Sequence, residues 1–232
     1  EDYSNYEFVD TIPVNKGLVY TIDQPGNWNF TYHQATKNGW MFGIPLQSRQ
    51  GWGYLYNDNI STDQQAIDDI TKIFNLSSEP TLKDFSFKNF RAKKFMEKRI
   101  IKNGNMALFY EPIEAMSGWF YDRITRIFFE HIVFNERTEQ EINQELTQIA
   151  EDYELGICFL YQGGSIFDSE FWNISSKKCK NRLDKSKRWS ENRKKILEFS
   201  PYTGYGGHVL PFPLSTWKHL DENLNYNYFN DN

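Results

Sequence analysis

Hydrophobic and polar positions change period along this chain, from alternation in the first half to helical spacing in the second. GLVYTID (17–23) alternates as a short strand does. In NGWMFGIPLQSRQGWGYLYND (38–58), Trp40, Phe42, Ile44 and Leu46 alternate on one arm, and Trp52, Tyr54 and Tyr56 on the other. Between them QSRQG forms a five-residue turn ending in Gly, which predicts a β-hairpin with one bulky face. Pro45 has no N–H for a ladder, so its nitrogen must face an edge or a bulge.

Ser61-Thr62-Asp63-Gln64 reads as a capping box, and Ile67, Ile70 and Phe74 follow at helical spacing. A helix is therefore expected near 62–75, broken by SSEP (77–80). Residues 81–101 are mixed and basic; KRII (98–101) and MALFY (106–110) read as short strands around the turn NGN. After Pro112 a helical stripe runs through Phe120, Ile124, Ile127, Phe128, His131 and Phe134. Thr138 with Glu141 is a second capping box, with Ile142, Leu146, Ile149 and Tyr153 behind it. Further helices are expected from Asp168 and near 185–199. Residues 1–15 read as irregular, and the Gly-, Pro-, Tyr- and Asn-rich tail after Ser200 as loop. Early strands and late helices predict an α+β class. The expected division is a sheet portion over 1–113 and a helical region over 114–232, joined as one continuous unit.

A length of 232 residues leaves room for a sizeable core. The net charge of −5 argues against a nucleic-acid partner. The basic run at 177–195 interleaves acids at helical spacing and reads as a solvated helix face. Aromatic residues make up 17% of the chain, which suits an aromatic-lined pocket. Cys158 and Cys179, and His33, His131, His208 and His219, lack ligand spacing, so no metal is expected. With no 18-residue apolar run and no signal peptide, a cytoplasmic location without a membrane is expected. No Gly-rich loop opens a βαβ unit and no P-loop occurs, so the chain lacks the phosphate cradle of a dinucleotide fold.

FYEPIEAMSGW (109–119) holds the candidate chemistry. Glu111 and Glu114 flank Pro112 at a strand-to-helix switch. Either can be a helix-start acid favoured by the dipole, or half of a reaction site.

Three segments in order resemble the flavin-dependent tryptophan halogenase family. GWMFGIPL is similar to its G-W-x-W-x-I-P signature. NGNMALFYEPIEAMSGW resembles its G-N/D-x-x-G-F-x-E-P-L-E-S-T segment, and FDSEFW (167–172) its D-x-x-F-W stretch. The likeness covers the C-terminal half of such an enzyme. It implies the substrate-side portion of a flavin monooxygenase-like (FAD/NAD(P)-binding) fold: an antiparallel sheet and C-terminal helices, without the N-terminal dinucleotide-binding unit or the catalytic lysine.

The resemblance also implies a chemistry. Reduced FAD and oxygen give a hydroperoxide, halide attacks it, and hypohalous acid reaches an electron-rich indole- or phenol-like substrate through a tunnel. Glu114 matches the active-site glutamate. A carboxylate in an apolar tunnel has its pKa raised, which suits proton transfer near neutral pH. Gly104, Asn105, Pro112 and Ile113 match cofactor-binding positions. Met116 and Ser117 match the helix opening that takes halide. Trp40, Phe42, Ile44 and Pro45 match the screen between flavin and substrate. Tyr161, Phe171 and Trp172 match the aromatic positions that stack on substrate. The implied partners are an aromatic small molecule, a flavin reductase supplying reduced flavin, and the N-terminal half.

Phe42, Leu108, Ala115 and Met116 replace the family's Trp, Gly, Ser and Thr. Phe167 replaces a polar contact to the amino acid, which implies an aromatic larger or less polar than free tryptophan. Two other readings stand beside the enzyme: a non-catalytic aromatic-binding remnant, and a related flavin monooxygenase, which the screening signature opposes.

Overall fold

The alternating segments become strands, but their partners are chosen by the fold. A computed structural model describes residues 3–77, 80–113, 115–134, 137–198, 208–209 and 211–229. Part of the expected SSEP break and the first part of the tail therefore lie outside the described residues. The strands and helices of the first half are Tyr6–Phe8 (β1), Lys16–Ile22 (β2), Tyr32–Ala35 (β3), Gly39–Pro45 (β4), Gln50–Tyr56 (β5), Asp63–Ile73 (α1), Lys83–Ser86 (β6), Phe90–Ala92 (β7), Met96–Glu97 (β8), Ile100–Ile101 (β9) and Leu108–Phe109 (β10). Then follow Ser117–Phe134 (α2), Glu139–Gln162 (α3), Glu170–Lys185 (α4), Lys187–Glu198 (α5), His208–Val209 (β11), Phe212–Pro213 (β12) and Leu214–Asn223 (α6). Every strand pair among them is antiparallel.

The chain forms two compact units. One comprises residues 13–88 and 164–178, the other 1–12, 89–163 and 179–232.

In the first unit the five-stranded sheet has the order β3-β4-β5-β2-β6. The hairpin forms, but its bulky residues do not share a face. A five-residue turn would pair Leu46 with Trp52 and keep both aromatic sets together. The turn that forms has four residues, 46–49, closed by the Leu46 N–H to the Arg49 carbonyl at 2.8 Å. That one-residue change reverses the parity of the register, so Trp52 faces Gly43 and Phe42 faces Gly53. Trp52, Tyr54 and Tyr56 therefore join Leu18, Tyr20 and Met41 in a core with Ala66 and Ile70 of α1. Trp40, Phe42 and Ile44 point to the other face. Pro45 sits in a pair whose nitrogens point away from β5, beyond Gly43, where pairing with β3 stops.

Each ring lies over the glycine opposite it. A Cβ on Gly43 would stand 2.5 Å from the Trp52 ring, and one on Gly53 2.4 Å from Phe42. Gly43→Ala is expected to cost about 1–3 kcal/mol through overpacking, read as a lower midpoint in urea melts.

Helix α1 is fixed to the sheet by two phenols. Tyr54 donates to Asp69 at 2.6 Å and Tyr56 to Asp63 at 2.8 Å. Burial, with these carboxylates, pushes both phenol pKa values above their ordinary value. The capping box at its start lies one residue later than the sequence suggested, on Thr62 and Gln65. The helix ends at Ile73, before SSEP, where Asn75 turns into the left-handed region at φ 49°.

In the second unit β1, β7 and β10 form a three-stranded sheet, so the amino-terminal residues are not all irregular. KRII and MALFY do not pair with each other: β9 pairs with β8, and β10 with β7. The predicted stripe of α2 holds at Phe120, Ile124 and Ile127, all fully buried, but Phe134 is 63% exposed. His131 is half-buried, with Nδ1 against the Arg137 carbonyl. The capping box of Thr138 and Glu141 opens α3 as expected. The tail contains helix α6 rather than only loop. It is anchored by Trp217, which is fully buried against Phe159, Trp189 and Phe212 and donates its indole N–H to the Val209 carbonyl at 2.6 Å. Among the described residues no helix is long and apolar enough to cross a membrane.

Candidate functional site

In the second unit, the candidate flavin and halide segments form one hydrogen-bonded body. Gly104–Met106 is a single 3₁₀ turn, with Gly104 at φ +59°. A Cβ on Gly104 would meet nothing within 4 Å, so its backbone faces open space. The tip is exposed, with Met106 at 62%, while Ala107 and Leu108 at its base are fully buried. Open space beside the Gly104 backbone fits the approach of a flavin chain.

Glu111 is 1% exposed and does not reach solvent. Its N–H donates to Asn89 Oδ1 at 2.9 Å, and Tyr161 donates its phenol to Glu111 Oε2 at 2.7 Å. Tyr161 is itself fully buried. Glu111 thus works as an interior anchor for the segment that leads into Pro112 and Ile113.

Glu114 lies outside the described residues. Beyond it the Ala115 N–H donates to the Pro112 carbonyl at 2.9 Å, and Ala115 stands at φ +50°. An L-residue there is strained. Ala115→Gly is expected to stabilise the protein by about 1 kcal/mol, seen as a higher melting temperature. Helix α2 begins at Ser117, and the Met116 carbonyl accepts its first bond from Phe120 at 3.1 Å. The amides next to Met116 and Ser117 are therefore free of helical partners, the condition for anion binding at a helix start.

In the first unit, Trp40 is 3% exposed, Phe42 and Pro45 are half-buried, and Ile44 is 40% exposed. Phe42 and Ile44 border a groove of about 760 Å³ with Leu46, Arg49 and Gly51. Phe171 and Trp172, at the start of α4, are buried edge-to-face at 5.1 Å. The Trp172 indole N–H donates to the Thr36 carbonyl at 2.7 Å, at the β3–β4 turn.

Sequence reasoning missed Asn89, Asn103, Tyr121 and Thr125. Tyr121 and Thr125 follow Ser117 at intervals of four on one helix face, a spacing legible once the helix start is known.

The fold is that of flavin-dependent halogenases. A tryptophan 6-halogenase, SttH, from Streptomyces toxytricini superposes with TM-score 0.71 at 17% identity, over 92% of this chain and 45% of that one. BrvH, a flavin-dependent halogenase from Brevundimonas sp. BAL3, gives TM-score 0.70 at 18% identity, over 95% and 45%. The chain belongs to the flavin-dependent tryptophan halogenase family, whose sequence profile it matches over residues 3–201. Tryptophan 7-halogenase KtzQ from Kutzneria sp. (strain 744) is 24% identical over 159 residues, 67% of this chain and 30% of that protein. Tryptophan 7-halogenase RebH from Lentzea aerocolonigenes is 24% identical over 157 residues, 66% and 30%. The aligned part of this chain thus spans under a third of the length of these relatives.

Proposed function

We propose that this chain is the substrate-side portion of a flavin-dependent halogenase acting on an electron-rich aromatic, indole- or phenol-like and larger or less polar than free tryptophan. The observation that carries this reading is the turn and strand of residues 103–113, built on the segment that resembles the family's and held by Tyr121 at Asn105 and by Asn89 at Glu111. When bound, reduced FAD with oxygen supplies the oxidising equivalent for halide. The chain's own groups bind and orient. Gly104, Asn105, Pro112 and Ile113 take the flavin chain, and the amides beside Met116 and Ser117 hold halide. Trp40, Phe42, Ile44 and Pro45 screen the substrate from direct oxidation. Phe171 and Trp172 are the aromatic residues against which the ring stacks, with Phe167 in place of a polar contact, and Tyr161 is a further aromatic position matched by the resemblance. Glu114 accepts the ring proton. A lysine and a dinucleotide-binding segment outside this chain complete the enzyme, and a flavin reductase supplies reduced flavin in the cytoplasm.

The test mixes the full-length protein with reduced FAD, bromide and a panel of indoles and phenols. A product carrying the bromine isotope doublet is the expected result. Hydroxylated product in its place would favour the monooxygenase reading, and flavin binding without turnover would favour the remnant.

A further inference from the structure

One turn of α2 holds both ends of the Gly104–Met106 turn, and no motif of the chain assigns it. Asn103, before the turn, donates Nδ2 to Thr125 Oγ1 at 3.1 Å, and its Oδ1 accepts the Gly104 N–H at 2.8 Å. Thr125 in turn donates to the Tyr121 carbonyl at 2.9 Å. After the turn, the Tyr121 hydroxyl lies 2.8 Å from Asn105 Oδ1 and 3.1 Å from the Leu108 carbonyl. Tyr121 is half-buried, and burial raises its phenol pKa, so it stays a neutral donor.

The turn cannot hold itself. It has one internal bond, Ala107 N–H to the Gly104 carbonyl at 2.9 Å, and Gly104 sits in a backbone region that costs chain entropy to fix. Its stiffness must come from outside. Tyr121 supplies the hydroxyl on one side and, through Thr125, its carbonyl on the other. A tip that is open while its base is locked has prepaid the ordering cost of a ligand.

We propose that Tyr121 is a positioning residue for flavin, clasping the Gly104–Met106 turn to the helix whose start takes halide. Tyr121 does not touch the cofactor; it acts through Asn105 and Leu108. The proposal rests on the reading that Gly104 and Asn105 meet flavin.

The experiment titrates FAD into the full-length apo-protein, following flavin fluorescence, alongside thermal melts. Tyr121→Phe keeps the ring and removes the hydroxyl. Its Kd for FAD is expected to rise about tenfold, the worth of a hydrogen bond, with the melting temperature little changed. Asn105→Ala keeps the backbone amide and removes one of the two partners, and in that background Tyr121→Phe should cost less than it does alone, the Leu108 carbonyl remaining. A wild type that binds FAD and a Tyr121→Phe variant that binds it equally well would overturn the clasp alone. Full additivity of the two substitutions would overturn it as well. A wild type that does not bind FAD would overturn the flavin reading, and the clasp's role with it. A variant that melts early but retains wild-type Kd would show that the hydroxyl serves only stability.

Discussion

Glu114→Gln is expected to lower halogenation turnover of the full-length enzyme by about a hundredfold or more while leaving the melting temperature almost unchanged. The substitution keeps size and hydrogen-bonding reach but removes the charge and the proton acceptor, and positioned general bases contribute about 10²–10⁴ in rate. An acid that only favours a helix dipole is worth about 0.3–1 kcal/mol of stability and nothing in rate. The two roles thus separate in one pair of measurements: turnover by mass spectrometry and stability by thermal melt. Unchanged turnover with a small loss of stability would make Glu114 an ordinary helix-start acid. The residues before and after it in the chain are held in place. Glu111 is held by Asn89 and Tyr161 on one side, and Ala115 is bonded to Pro112 on the other. A group that must meet a reacting ring benefits from such fixed neighbours.

Arg182→Met is expected to destabilise the second unit by about 3 kcal/mol, because it leaves a buried charge without its partner. Glu154 is 4% exposed and accepts two bonds from Arg182, at 2.8 and 3.1 Å, and one from Thr11 at 2.5 Å. Glu154 in turn holds the guanidinium pKa above its already high ordinary value. In a domain of this size the loss corresponds to roughly 6–12 °C in melting temperature. Adding Glu154→Gln to Arg182→Met removes the unpaired charge and should recover part of the loss. A double variant no more stable than Arg182→Met would point instead to lost packing of the arginine stem.

The legible parts share one property: their signals are local. Thr138 and Glu141 predict the start of α3 because a capping box closes within four residues. GLVYTID predicts β2 because alternation needs no knowledge of the neighbour. The illegible parts depend on distant partners. β1 has little strand character of its own and exists because β7 pairs with it. β3 forms on the edge of β4. Helix α6 lies in a segment rich in turn formers with no side-chain cap, and is held by the burial of Trp217. Tyr121 and Thr125 look like ordinary surface positions of a helix until the turn before them is in place.

The amino-acid sequence by itself determined helices α1 to α5, the strands β2, β4, β5, β9 and β10, the aromatic character of the hairpin, the candidate segment 103–117 and, through its motifs, the family. Only the tertiary structure decided which face each aromatic ring occupies, since a turn of four rather than five residues reverses the register of the whole hairpin. It also supplied the partners that bury Glu111, the Asn89 side chain and the Tyr161 phenol. Helix caps and hydrophobic periods are written within a few residues, and the hairpin register turns on the length of one loop. Burial and hydrogen-bond partners are set instead by distant chain segments, such as Asn89 for Glu111 and Trp172 for Thr36, at separations of 22 and 136.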